Sequence, residues 1–321
     1  MTLHLADKYI WDFWFAQEGA EYHVFYLQAP RSLSNPELRH WNVSIGHAVS
    51  QDLSKWEILP DALHPGLSGE WDDYTTWTGS IIRDSNEWHL FYTGTHRAEN
   101  GLVQRIGLAT STDLIRWEKY PNNPILLADS QWYELLDLKL WHDQAWRDPW
   151  VFQHPTLGDF HALITARVNY GPPDGRGVIA HARSNDLRHW EVLPPITEPG
   201  EFGQLEVPQL CSIAGCYYLL FSTAAYHQSA ARRQRVSDSF ITGTHYLMAD
   251  QPLGPYRGVK DEFVPASGNE ILYSGKLLER APGEWVFLAA RFGDSKGEFV
   301  GELTDPYPVT RDDVGRLKVQ L

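Results

Sequence analysis

The segment GHAVSQDLSKWEIL, residues 46–59, reads as a small-residue strand ending in Ser50, a turn at Asp52-Leu53, and a new strand opened by Trp56-Glu57. The same order returns in GLATSTDLIRWEKY (107–120) and, more loosely, in IAHARSNDLRHWEVL (179–193), with a degenerate fourth copy in HYLMADQPLGPYRGV (245–259). The tryptophans at 56, 117 and 190 lie 61 and 73 residues apart. Repeats of this length, each with room for about four strands, are the mark of propeller blades. A period of roughly 60–65 residues divides the chain into five, predicted over residues 9–60, 75–122, 145–195, 205–260 and 268–310. Trp56, Trp117 and Trp190 belong to the repeat and read as blade packing. His47, inside the repeat strand, reads as a buried and satisfied histidine rather than a catalyst.

Outward from the repeat, the runs YHVFYLQ, WHLFYTGT, DFHALITAR, YYLLFSTA and WVFLAAR are short, aromatic and β-branched, and bounded by Gly, Pro, Asn or Asp. These are strand signals. Several are apolar on both faces, which suits sheets stacked on sheets. Helix signals are scarce. The expectation is an all-β chain, a single five-bladed β-propeller over residues 1–321 with no C-terminal β-sandwich. The last strand, RLKVQL (316–321), is expected to complete a sheet with N-terminal residues.

The chain has 321 residues, of which 14 are Trp, 15 Tyr and 13 Phe. Its formal net charge is −14, from 41 acidic and 27 basic residues. A surface of that sign repels phosphate backbones and anionic lipid, so nucleic acid and membrane are poor partners and a small neutral sugar fits better. Cys211 and Cys216 alone supply neither a disulfide framework nor a metal-ligand cluster, and no Gly-rich phosphate loop appears, so neither metal nor organic cofactor is expected. The N-terminus lacks a basic-then-apolar leader, and a cytoplasmic location is the expectation. Oligomeric state is not legible.

Three acids sit at early positions of candidate blades 1, 3 and 4: Asp12 in IWDFWFAQ, Asp148 in WRDPWVF and Glu206 in GQLEVPQL. Each is set among apolar or aromatic residues, an expensive place for a carboxylate unless it is paired or functional. The innermost strand of each blade lines a propeller's channel, so such positions converge on one funnel. Glycosidic cleavage needs two carboxylates flanking the anomeric carbon, and a third acid can bind sugar hydroxyls. One strand-borne acid is more often a turn or ladder-edge residue. Three at matching places are not.

These residues carry a resemblance. The run from Gly46 to Pro65 followed by Trp77-Thr78-Gly79-Ser80, the stretch Tyr22-His-Val-Phe-Tyr-Leu-Gln28, Arg147-Asp148-Pro149, and Glu206-Val207-Pro208 together resemble glycoside hydrolase family 32, the invertases and fructanases of clan J. Order and spacing agree through about residue 215. Trp11-Asp12-Phe13-Trp14 departs from the family 32 pattern and is nearer the Trp-Asp-Ser-Trp of family 68, the levansucrase-like enzymes. Val207 stands where family 32 carries Cys.

The resemblance implies a five-bladed propeller and a retaining hydrolase of β-fructofuranosides such as sucrose or short fructans, with fructosyl transfer open. It implies Asp12 as nucleophile, Glu206 as acid/base and Asp148 as transition-state stabiliser, with Arg147 holding Asp148 ionised. Trp11, Trp41 and Trp77 are candidate sugar platforms, and Gln28 and Thr78 candidate hydroxyl partners. Tyr226, His227, Glu270 and Tyr273 are candidates for the aglycone side. Burial is expected to raise the pKa of Glu206 and separate it from that of Asp12. The rival readings are an inverting family 43-type arabinofuranosidase or xylosidase, a non-catalytic carbohydrate-binding propeller, and a scaffold for protein partners.

Overall fold

Asp52, Asp113 and Asp186 turn the chain in the same way. Asp52 Oδ1 accepts the backbone N–H of Ser54 and Lys55, both at 2.8 Å. Asp113 takes those of Ile115 and Arg116 at 2.9 and 2.8 Å, and Asp186 those of Arg188 and His189 at the same distances. The leucine that follows each, Leu53, Leu114 or Leu187, adopts a left-handed φ of 61–62° and is fully buried. A non-glycine residue in that region is strained by about 1–2 kcal/mol, which burying the leucine side chain offsets.

The computed structural model describes residues 3–236, 241–258, 270–294 and 297–321. Its strands form five antiparallel sheets. Blade 1 holds β1 (Lys8–Glu18), β2 (Glu21–Pro30), β3 (Ser44–Ser50) and β4 (Glu57–Leu63). Blade 2 holds β5 (Thr75–Asp84), β6 (Glu87–Thr95), β7 (Gln104–Ser111) and β8 (Glu118–Lys119). Blade 3 holds β9 (Trp146–Gln153), β10 (Phe160–Arg167), β11 (Gly177–Ser184) and β12 (Trp190–Leu193). Blade 4 holds β13 (Glu206–Ile213), β14 (Cys216–Thr223), β15 (Gly243–Ala249) and β16 (Arg257–Gly258). Blade 5 holds β17 (Ile271–Ala281), β18 (Glu284–Gly293), β19 (Glu302–Leu303), β20 (Tyr307–Arg311) and β21 (Leu317–Val319). The five-bladed propeller read from the repeat is therefore the observed architecture, with helix confined among the described residues to α1 (Ala230–Arg235) and four short 3₁₀ turns. The expected bounds at 259–260 and 268–269 lie outside the described residues.

The repeat tryptophans join neighbouring blades. Trp117 of blade 2 meets Phe25 of blade 1 edge-on at 5.8 Å, and Trp190 of blade 3 meets Phe91 of blade 2 in the same way at 5.7 Å. Their ring N–H groups donate to the carbonyls of Leu114 and Leu187, which removes the cost of burying them. Trp56 packs against a core shared with Val286 and Leu288 of blade 5. His47 is buried, hydrogen-bonded through Nε2 to His23 at 2.9 Å and stacked on Phe25 at 4.1 Å, a packing role as expected, but its Nδ1 is buried without a partner, so it is only half satisfied.

The ring closes differently from the expectation. RLKVQL does not pair with the N-terminus; β21 pairs with β20 as the outer strand of blade 5. Closure runs through residues 300–303 instead. Leu303 N–H donates to Leu3 O at 3.1 Å, and Ile10 N–H to Gly301 O at 3.0 Å. The Arg31 guanidinium fastens the same seam, donating to the carbonyls of Leu5, Lys8, Val300 and Gly301 at 3.0–3.1 Å. A planar fork with five donors matches such a set, which no short terminal strand could bridge. Replacing Arg31 with Met removes a charged donor from four carbonyls at the seam, of which Gly301 O keeps the Ile10 N–H. We expect the variant to lose about 2–3 kcal/mol in urea unfolding with the slope unchanged, as charged donors to carbonyls contribute; an unchanged midpoint would show that the seam does not depend on Arg31.

Candidate active site

Each innermost strand breaks its ladder near the axis, and β17 does so at two further places. In β1 the register slips at Asp12, between Trp11 and Phe13, and in β5 at Thr78, between Trp77 and Gly79. Asp148-Pro149 in β9, Val207-Pro208 in β13 and Ser274-Gly275 in β17 are skipped likewise. These are β-bulges, which leave a residue unpaired and re-aim its side chain. The sequence suits them locally. Proline has no N–H to lose from the ladder, and Gly79 is required because a Cβ there would lie 1.8 Å from the Phe91 carbonyl oxygen. Asp148, Val207 and Ser274 take left-handed φ values of 53–57°. The freed backbone donors find hydroxyls on the preceding blade: Asp148 N–H on Thr93 Oγ1 and Ser274 N–H on Ser222 Oγ, both at 2.9 Å.

The bulges place Asp12, Asp148 and, one residue before its bulge, Glu206 on a single cavity of about 880 Å³ at the centre of the ring. Asp12 accepts from Thr78 Oγ1 at 2.7 Å and from Ser274 Oγ. Asp148 Oδ2 accepts from Thr165 Oγ1 at 2.9 Å and the Val207 N–H at 3.1 Å, with Arg147 Nε 3.6 Å away. Glu206 accepts from Arg147 Nη2 at 2.6 Å and from the Tyr273 hydroxyl. Arg147 is itself held by Gln104 at 3.1 Å and Asp143 at 3.4 Å.

Burial raises the pKa of Asp12 in spite of its two hydroxyl donors. Burial also pushes Asp148 up to about 7, against the pull of Arg147. Glu206 goes the other way: burial pushes it up, but the Arg147 guanidinium and the Tyr273 hydroxyl outweigh that and hold it below the usual carboxylate range. The expected separation of the two carboxyls is therefore present with its direction reversed. The reason is that Arg147, expected to serve Asp148, makes its shortest contact with Glu206.

Trp11, Trp41, Trp77, Thr78 and Arg147 all reach the cavity. Trp41 stacks on Tyr74 at 5.0 Å and lies 5.6 Å from Trp77, whose ring N–H donates to His40 O at 2.8 Å. Thr78 serves Asp12 instead of standing open to a hydroxyl. Gln28 does not reach the cavity. Successive strand residues face opposite sides; Leu27 lines the cavity, while Gln28 is buried behind it with its amide on Ser44 Oγ at 3.1 Å. Aligned on Tyr22-His23, the family's glutamine falls on Leu27. Tyr226, His227 and Tyr273 line the cavity, but Glu270 lies outside it, paired with Arg291 at 2.6 Å. Sequence reasoning missed Ser274, Lys276, Gln104, Asp143 and His40. Tyr273-Ser274-Gly275-Lys276 repeats the bulge pattern of Trp77-Thr78-Gly79-Ser80, but blade 5 carries no copy of the Trp repeat to anchor the alignment.

Fold and site together define the class: a five-bladed propeller with three carboxylates lining one central cavity among Trp11, Trp41 and Trp77. The model of the glycosyl hydrolases family 32 N-terminal domain matches residues 14–253, so the chain belongs to glycoside hydrolase family 32. That match begins just past Asp12, where the sequence departs from the family pattern. The cell-wall β-fructofuranosidase of Pisum sativum is 27% identical over 287 residues, 87% of this chain and 47% of that protein. The levanase of Bacillus subtilis is 40% identical over 196 residues, 58% of this chain and 23% of that protein. The chain thus spans about half the length or less of these curated relatives. The structure of inulosucrase from Halalkalicoccus jeotgali superposes with a TM-score of 0.80 at 22% identity, covering 98% of this chain and 87% of that one.

The reversed electrostatics have a measurable consequence for stability. A carboxyl with its folded pKa raised from 3.8 to about 7 binds its proton more tightly in the native state, so stability falls as pH rises from about 4 to about 7. Asp148→Asn removes that loss while keeping an acceptor for Thr165 and Val207. Each pH unit between the unfolded and folded pKa values costs the native chain about 1.4 kcal/mol. We therefore expect the variant to gain up to roughly 3–4 kcal/mol over the native chain at pH 8, and nothing at pH 4. Equal differences at both pH values in chemical denaturation would contradict the raised pKa.

Proposed function

We propose that this chain hydrolyses β-fructofuranosides, sucrose or short fructans, by a retaining mechanism. The observation that carries the reading is the meeting of Asp12, Asp148 and Glu206 in one cavity, each with a different set of partners. Asp12 is the nucleophile: Thr78 and Ser274 fix both its oxygens, so the carboxylate that attacks the anomeric carbon is aimed in advance. Glu206 donates a proton to the leaving oxygen, then takes one from water as it resolves the fructosyl–Asp12 ester. Asp148, unable to leave its bulge, accepts sugar hydroxyls and faces the positive charge that develops on the ring. Trp11, Trp41 and Trp77 supply the apolar wall.

The pKa of Asp12 is raised and that of Glu206 lowered, the reverse of the order the reaction uses, and substrate supplies the correction. A glycosidic oxygen arriving between Arg147 and Glu206 weakens their contact and excludes water. Both changes raise the Glu206 pKa. The proton that burial keeps on the Asp12–Asp148 side is then better held by Glu206, and Asp12 becomes the anion. Fructosyl relatives such as the pea β-fructofuranosidase and the Bacillus levanase support the substrate class, as does the net charge of −14 for a neutral ligand.

The test is a panel of sucrose, inulin, levan and nitrophenyl arabinofuranoside and xyloside, with the anomer of the first product followed by NMR. We expect fructose released with retention, loss of at least about 10⁴-fold in kcat for Asp12→Ala, and about 10²–10⁴-fold for Glu206→Gln. The bound complex should hold the Asp12 and Glu206 carboxyls about 5–5.5 Å apart, against roughly 6.5–9.5 Å for an inverting pair. Inversion, or cleavage of only the arabinofuranoside or xyloside, would hand the assignment to the family 43-type alternative.

A further inference from the structure

Lys276 does not line the cavity; it is buried behind the Val207 bulge. Its side chain comes from β17, two residues past the Ser274 bulge, and only 2% of the residue is exposed. Nζ donates to the Val207 carbonyl at 2.9 Å. An ammonium has three donors, and one carbonyl satisfies one of them. The surroundings show where the rest of its charge acts. Val207, whose carbonyl takes Nζ, gives its own N–H to Asp148 Oδ2 at 3.1 Å; the Trp150 ring of β9 lies 5.9 Å from Nζ, and the charges that act on the ammonium are those of Asp12 from β1 and Asp148 from β9. From β13 comes the Val207 carbonyl, while Glu206 is turned to Arg147 and Tyr273. β14 and β15 contribute only the Ser222 and Thr244 hydroxyls, spent on the backbone of Ser274 and Gly275, and β18 opposes Lys276 with Leu288.

A long basic side chain is costly to desolvate, and burial lowers its pKa to about 8, with Asp12 and Asp148 opposing that fall. A neutral donor would serve the Val207 carbonyl as well and cost less to bury. What a neutral donor cannot do is balance charge. Arg147 makes its closest contact with Glu206 and approaches Asp148 only at 3.6 Å, while Asp12 is held by the hydroxyls of Thr78 and Ser274.

We propose that Lys276 is a positioning residue whose buried ammonium is the counter-charge that allows Asp12 and Asp148 to be ionised together beneath the substrate. It rests on the catalytic reading of those two carboxylates, and acts on the sugar only through them.

The test uses the intact chain with ¹³C at aspartate Cγ, titrated by NMR from pH 4 to 9, with Asp12 and Asp148 identified from Asp12→Asn and Asp148→Asn. In Lys276→Met and Lys276→Gln both midpoints are expected to rise by about one pH unit or more, a tenfold gain in proton affinity, since removing a cation disfavours the anion. The native chain should show a second inflection of both signals near pH 8 that the two variants lack. Lys276→Arg should keep the native midpoints and lack that inflection. The acid limb of kcat/KM should move with the carboxyls, whereas a tether that only holds Val207 would lower rates evenly across pH and be rescued by Gln. Unmoved midpoints in a folded Lys276→Met overturn the proposal. Should that variant not fold, identical titrations for the Gln and Arg variants overturn it. The titration needs no substrate, so failure to cleave any fructoside removes the substrate assignment and leaves this result standing.

Discussion

The structure depends on a break repeated five times. An unbroken inner strand would alternate its side chains between the two faces of its blade and give the channel a wall without a floor. Each bulge turns one residue toward the axis and strands backbone donors that need new partners. Hydroxyls on the neighbouring blade take them, Thr93 for Asp148 and Ser222 for Ser274. The same bonds that repair the ladder therefore lock adjacent blades in register around the cavity. Carboxylate placement and blade spacing are one constraint.

That constraint concentrates negative charge where water is scarce. Burial raises the pKa of Asp12 and Asp148, while that of Glu206, in direct contact with Arg147, is lowered. Hydroxyl donors orient carboxylates but supply no net charge, so they cannot reverse a desolvation cost. Ionising these carboxyls therefore costs the native chain stability, a pattern that clusters at functional sites.

Away from the axis the demands are ordinary and are met by repetition. The Asp-Leu turns spend a small backbone strain to bury a leucine, and the Trp that follows reaches across to the previous blade. Where repetition must stop, at the seam between blades 5 and 1, a single arginine fork replaces it.

The repeat of Ser-x-Asp-Leu and Trp-Glu was enough to specify strands, turns, blade number and the acids Asp12, Asp148 and Glu206, because turn chemistry and alternation act over a few residues. Even the bulges left a local trace in Asp148-Pro149, Val207-Pro208, Thr78-Gly79 and Ser274-Gly275. The partner of each acid was not local. Arg147 is adjacent to Asp148 in sequence, yet its Nη2 contacts Glu206, 59 residues away. Asp12 depends on Ser274, 262 residues away, and Gln28 turned out to face away from the cavity that Leu27 lines. Which acids hold protons is set by burial and by charges converging from separate blades. Those distances exist only once the ring has closed.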